Sequence, residues 1–238
     1  MRRWLTYKLG LHNLSRTLAE KLFEQYCQEK AISCFRVPES EARTPDYRLA
    51  IGEKLVFVEV KEIRPTAEER ESDRLLKTRG YGNALGNTPG DRVRKKIKAS
   101  SGQLRAKTSG QHPSILVLGY FGTWGHLDPY HIRVGMYGLE QVHLAVPPLG
   151  MGSPYRTGMS YGPKRKMTQE HNTSISAIGT LLIPGPDLLQ FQVYHNRFAE
   201  VPLDPSLLAR YEITQLELDY EAPGATAEWG EVVLSDEP

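Results

Sequence analysis

Within residues 44–61 the chain brings two acids and an amine to spacings that could do chemistry. Thr44-Pro45-Asp46 is followed by an apolar run that ends in Glu59-Val60-Lys61. Between them, Gly52-Glu53 separates two strand-like stretches, 46–51 and 54–61. A two-residue turn with glycine first suits a type II′ hairpin. With those two residues at the turn, Ile51 pairs with Lys54, and counting down the ladder sets Asp46 opposite Glu59. Opposed side chains on antiparallel strands have Cβ atoms about 4.5–5.5 Å apart. Two like charges so close are unfavourable unless something neutralises them. A divalent cation does so, and hard oxygen ligands suit Mg²⁺, with Mn²⁺ able to substitute. The strand period of two puts Lys61 on the face of Glu59. There its ammonium can orient or deprotonate a water. The backbone carbonyl of Val60 is a further metal ligand to consider.

A helix read over 14–30 stands ready to add a third carboxylate. Leu14, Leu18, Leu22, Phe23 and Tyr26 recur at helical spacing, and Asn13 suits the N-cap. On a helical projection Glu20 borders the apolar arc that ends at Cys27, and Glu24 lies further round. Glu20 is the expected neighbour of the site and Glu24 the solvated one, although a small rotation of the helix exchanges them. A short strand is expected at 32–37 and a polar loop at 39–45. The run 55–60 is almost continuously apolar, as in a central strand covered on both faces.

After the hairpin, Thr66 and Glu69 form a capping box for a highly charged helix running to about residue 77. A glycine-rich loop follows over 79–90. A third helix spans about 91–107, with Val93, Ile97 and Leu104 on one face. Residues 114–120 read as another buried strand, and 131–137 as a strand or a helix start. Residues 149–163 lack any period and read as a loop or disordered insertion. Late strands are expected at 175–183 and 189–194, and the last forty residues carry little signal.

At these residues the chain resembles the PD-(D/E)XK nuclease superfamily, the restriction-endonuclease-like fold. The resemblance covers roughly 14–120: Ala19-Glu20 in a helix, Pro45-Asp46, Glu59-Val60-Lys61 on a central strand, then a basic helix and a buried strand. It implies an α/β domain with a central mixed β-sheet flanked by helices, with loop insertions and an irregular C-terminal part. It also implies a Mg²⁺-dependent phosphodiesterase. The positions of Asp46 and Glu59 would hold metal, that of Lys61 would serve the attacking water and the transition state, and Glu20 would join directly or through water. The basic helix would face DNA, and Gln103 stands where some members have a polar site residue. The same fold without hydrolysis would be a nucleic-acid-binding module; intact Asp46, Glu59 and Lys61 argue for the enzyme.

The charge distribution agrees with a polyanionic partner. The net charge is +2, but residues 200–238 hold ten acids and one base, Arg210, so the excess of bases lies in 1–199. No acid occurs between Asp91 and Asp128, where Arg92, Arg94, Lys95, Lys96, Lys98 and Arg105 cluster. A second acid-free stretch, 141–169, carries Arg156, Lys164, Arg165 and Lys166. With 238 residues, 39% hydrophobic and 24% charged, a single nuclease-like domain is expected, with its core over about 14–200. No apolar run is long enough to span a bilayer, and none follows Arg2, Arg3 and Lys8 as a secretory signal would require. The two cysteines, Cys27 and Cys34, read as core residues in a reducing, cytoplasmic compartment. Cutting both strands of a duplex would call for a homodimer. His126 and His131 flank Pro129, which spoils a helical ligand pair, and read as loop histidines. Tyr120 and Trp124 could stack on bases but read as core.

Overall fold

The computed structural model describes residues 16–38, 44–82, 88–122, 126–185, 188–218 and 229–232. In chain order the elements are α1 (Leu18–Glu29), β1 (Ser33–Arg36), β2 (Tyr47–Ile51), β3 (Lys54–Glu62), α2 (Ala67–Arg79), α3 (Asp91–Thr108) and β4 (Ser114–Gly119). Then come α4 (Pro129–Tyr137), β5 (Glu140–Ala145), β6 (Tyr155–Tyr161), β7 (Ala177–Gly185), β8 (Leu188–His195), α5 (Ser206–Ala209), β9 (Thr214–Leu218) and β10 (Trp229–Glu231).

Among the described residues eight strands form one mixed sheet in the order β1-β2-β3-β4-β7-β8-β9-β10. β3, β4 and β7 run parallel at its centre, and β1 and β2 lie antiparallel on the β3 side. The β2–β3 hairpin has the expected register, from Ile51↔Lys54 to Tyr47↔Val58. Gly52 has φ +59° while Glu53 stays at negative φ, which is the pattern of a II′ turn.

Alternation along β3 divides its side chains between two cores. Val56, Val58 and Val60 pack with Phe23 and Tyr26 of α1, whereas Phe57 packs with Val93, Ile97 and Leu104 of α3. β4 does the same, Ile115 and Val117 facing one core and Leu116 and Leu118 the other. The helix α4 packs against α3 on the second face. The sheet is therefore flanked by helices on both sides. Gly119 lets α1 approach closely, since a Cβ there would lie 2.9 Å from the Ala19 Cβ.

Several expectations need correction. The helix α1 begins at Leu18, not near residue 14, because Thr17 and Glu20 form a complete capping box; Asn13 and Leu14 lie outside the described residues. Leu18, on that first turn, is 45% exposed. The ambiguous 131–137 segment is helical, started by Asp128 as N-cap and Pro129 at the first turn. The aperiodic 149–163 stretch contains β6, which pairs with β5 in a separate two-stranded ribbon. The C-terminal part is less irregular than expected, since β9 and β10 extend the main sheet. Trp124 and parts of the 39–45 and 79–90 loops lie outside the described residues. Among the described residues no helix is long and apolar enough to cross a membrane.

Candidate active site

The site forms where β2 and β3 part. Beyond Tyr47↔Val58 the ladder ends. The Asp46 carbonyl accepts the Val37 N–H at 2.9 Å, while its Oδ2 accepts the Val60 N–H at 2.8 Å. The Asp46 side chain thus takes the ladder place that a strand carbonyl would hold. Asp46 and Glu59 are neighbours across the split end of the hairpin and not the flat cross-strand pair that the register alone suggests.

Glu59 is 0% exposed. Its Oε2 accepts a hydrogen bond from Gln103 Nε2 of α3 at 2.9 Å, and Gln103 also reaches the Thr44 carbonyl. The Lys61 ammonium makes ion-pair contact with Glu59 Oε1. That fully buried oxygen has no hydrogen-bond donor in bonding geometry. Burial first, and the Asp46 charge second, push the Glu59 carboxyl up to about 7, against the opposing pull of Lys61 and the Asp46 N–H. Burial also raises Asp46, and Glu20 adds to the rise; the Val60 N–H, Lys61 and Arg36 oppose it.

Of these groups Asp46 and Lys61 border a cleft of about 400 Å³, lined also by Thr17, Glu20, Val60, Glu62, Arg64 and Lys96, and Glu59 lies buried behind them. The N-terminus of α1 forms one wall. Glu62 Oε2 fixes it by accepting the backbone N–H groups of Leu18 (2.9 Å) and Ala19 (3.3 Å), donors that a helix start otherwise leaves unpaired. Glu20 faces this cleft, but its Oε2 is held by Thr17 N at 2.7 Å and Thr17 Oγ1 at 2.8 Å. Its Oε1 lies 3.7 Å from Arg36. Glu24 turns away from the cleft, taking the Tyr47 hydroxyl at 2.8 Å and the Arg16 guanidinium at 2.5 Å. It is half-buried by these partners and not simply solvated.

On the opposite wall Lys96 of α3 comes near Lys61 and Arg64. Burial, then those two cations, lower its pKa. Lys61 pairs with Glu59 and Arg64 pairs with Glu62 at 3.1 Å, while Lys96 adds a third cation to this wall, where an anion such as phosphate would be attracted.

The donor set fits a hard divalent ion. Mg²⁺ commonly takes one or two protein carboxylates and completes its shell with water and substrate oxygens. Asp46 and Glu59 offer two such groups, with Glu59 Oε1 shared with the Lys61 ammonium. Among the described residues no three Asp, Glu, His or Cys side chains close around one point. Glu20, committed to its capping box, therefore stands at one remove from the carboxylate pair.

The basic residues of α3 separate into two groups. Lys95, Lys98 and Arg105 are exposed, and Lys96 lines the cleft. Arg94, expected to hold phosphate, is instead buried and structural: it donates to Asp91 Oδ1 and to the carbonyls of Val134 and Pro89. Arg92 pairs with the buried Glu69 at 2.5 Å. His126 also binds Glu69, at 2.7 Å, and His131 binds its own N-cap, Asp128, at 2.8 Å. Tyr120 is a core residue, as are Cys27 and the half-buried Cys34.

Sequence reasoning missed Thr17, Glu62 and Arg64 as cleft residues. Thr17 was detectable from its Thr-x-x-Glu spacing. Glu62 was detectable from the strand period, which turns it toward α1 one residue after Lys61. Comparison with known proteins finds no matching family model, no matching curated protein and no matching solved structure.

Proposed function

We propose that this chain is a metal-dependent nuclease that hydrolyses phosphodiester bonds in DNA, built on the restriction-endonuclease-like pattern. The observation that carries the reading is a buried acid, Glu59, held against the Lys61 ammonium, with Lys61 and Asp46 lining a cleft that Arg64 and Lys96 also border. An ordinary surface hairpin has no reason to bury a carboxylate there.

Asp46 and Glu59 would hold the ion, with the Val60 carbonyl at hand and Glu20 reaching it only through water. Bound Mg²⁺ would supply Lewis-acid polarisation of the scissile phosphate and a water of lowered pKa. Gln103 fixes the Glu59 carboxylate so that its second oxygen stays aimed toward Lys61. Lys61 then orients the attacking water and offsets the charge that builds on the phosphate. Lys96 and Arg64 steady the non-bridging oxygens, and the exposed Lys95, Lys98 and Arg105 hold flanking phosphates without reading sequence.

A second reading is a nucleic-acid-binding module of the same architecture. It is favoured by one observation: Lys61 is already engaged in an ion pair with Glu59. Calorimetric titration with Mg²⁺ or Mn²⁺, with and without DNA, separates the two. The nuclease binds the ion, and Asp46→Asn weakens that binding at least tenfold. Absence of any binding heat, even with DNA present, would leave only the module.

A further inference from the structure

The β5–β6 ribbon has no place in the chemistry described above, yet it is unusual in three ways. Among the described residues its strands pair only with each other. Residues 148–157 are all exposed, and the ribbon holds out large apolar side chains: Val142, Leu144, Val146, Leu149, Met151 (74% exposed) and Tyr155. Exposed apolar clusters of this kind mark interaction surfaces. Finally, its one acid, Glu140, is paired with Arg133, while Arg156 lies on β6 and Lys164, Arg165 and Lys166 follow just beyond it.

The root of the ribbon adjoins the helix that serves the cleft. Lys164 Nζ lies 3.9 Å from Asp91 Oδ1 at the start of α3, and the Lys166 N–H donates to the Met136 carbonyl of α4 at 3.0 Å. Five residues into α3, about 7.5 Å along its axis, Lys96 lines the cleft. A long anion that crosses Lys96 and follows the α3 axis toward its N-terminus would reach the root of the ribbon.

We propose that the β5–β6 ribbon is an arm that enters the major groove of duplex DNA next to the cleft. This rests on the reading of DNA as the substrate, and it narrows that substrate to duplex. Two paired strands about 4.8 Å apart, with their side chains, fit the major groove of B-DNA, about 12 Å wide. Six or seven residues per strand reach roughly 20 Å, enough to follow the groove past several base pairs. The A-form major groove of RNA is too narrow and deep to admit such an arm. Arg156, paired opposite Leu144, meets a phosphate, and the apolar tip packs on sugars and thymine methyl groups.

The test uses the full chain in EDTA and measures fluorescence anisotropy with a labelled duplex and with one of its strands. Arg156→Ala and the tip variant Leu149→Ser/Met151→Ser are compared with wild type and Asp46→Asn. Each arm variant should weaken duplex binding about tenfold, and Arg156→Ala should lower the salt slope by about 1. Single-strand binding should change less than threefold, and unchanged thermal midpoints would show that the fold is intact. Duplex affinity equal to wild type in both arm variants, while wild type and Asp46→Asn bind, would overturn the arm and leave the nuclease reading standing. The arm would also fall if the tip variant kept duplex affinity but lost binding to anionic phospholipid vesicles or lost self-association in sedimentation. A wild type that neither binds nor cuts any DNA would overturn the nuclease reading and the arm together.

Discussion

A carboxylate with no exposed surface is a large cost unless its environment offers something back, and Glu59 is such a group. Its pKa of about 7 means that, without metal, the folded protein keeps a proton that the unfolded chain releases near 4.5. Stability from this group is therefore fully present below about pH 4.5 and is lost as pH rises through 7. The loss amounts to roughly 3 kcal/mol if the whole shift is expressed. Urea denaturation in EDTA at pH 5 and pH 8 should show the wild type weaker at pH 8, with Glu59→Gln nearly level between them. A wild type equally stable at both pH values would contradict this account of Glu59. Metal binding must displace the same proton, so Mg²⁺ affinity should rise between pH 6 and 8.

At the scale of elements, single acids tie helices to the hairpin and to one another. Glu62 holds the first turn of α1, and Glu62→Ala should cost about 1–2 kcal/mol in urea denaturation while cutting activity through the displaced Glu20 wall. Glu69, 1% exposed, clasps Arg92 and His126 and so joins α2 to α3 and to the turn before α4. Glu69→Ala leaves a guanidinium unpaired and should destabilise by about 3 kcal/mol in the same measurement. Much of this scale was legible in the residues. Gly52 set the hairpin register, and Thr66 with Glu69 marked the start of α2, because turn and cap chemistry are local. The Asp46–Val60 bond was not legible, since it depends on where two strands diverge. Nor was the inward turn of Arg94, whose partners Pro89 and Val134 are fixed by the packing of α3 on α4. The ribbon escaped notice because β5 and the first half of β6 are mostly exposed, so the stretch has no apolar alternation to read.

Over the whole molecule, one mixed sheet carries the acids at the diverging end of β2 and β3, while α3 spreads bases beside them. That arrangement suits a long anion. Binding of DNA should be steeply salt-dependent, log K falling with log salt by about 0.9 per phosphate neutralised. Replacing Lys95, Lys98 and Arg105 together by Ala should lower that slope by about 3, measured by anisotropy in EDTA over a range of salt concentrations. Arg94→Ala should instead lower stability, because its partners are protein carbonyls and Asp91. The central claim is hydrolysis at the Asp46–Glu59–Lys61 site. It is tested most directly by incubating purified protein with supercoiled, linear and single-stranded DNA in Mg²⁺ or Mn²⁺, with Asp46→Asn and Lys61→Ala alongside. The account predicts metal-dependent cleavage by the wild type, reduced about 10³-fold in either variant while both keep the fold. Cleavage at the wild-type rate by either variant, or none by the wild type on any of these substrates, would contradict it.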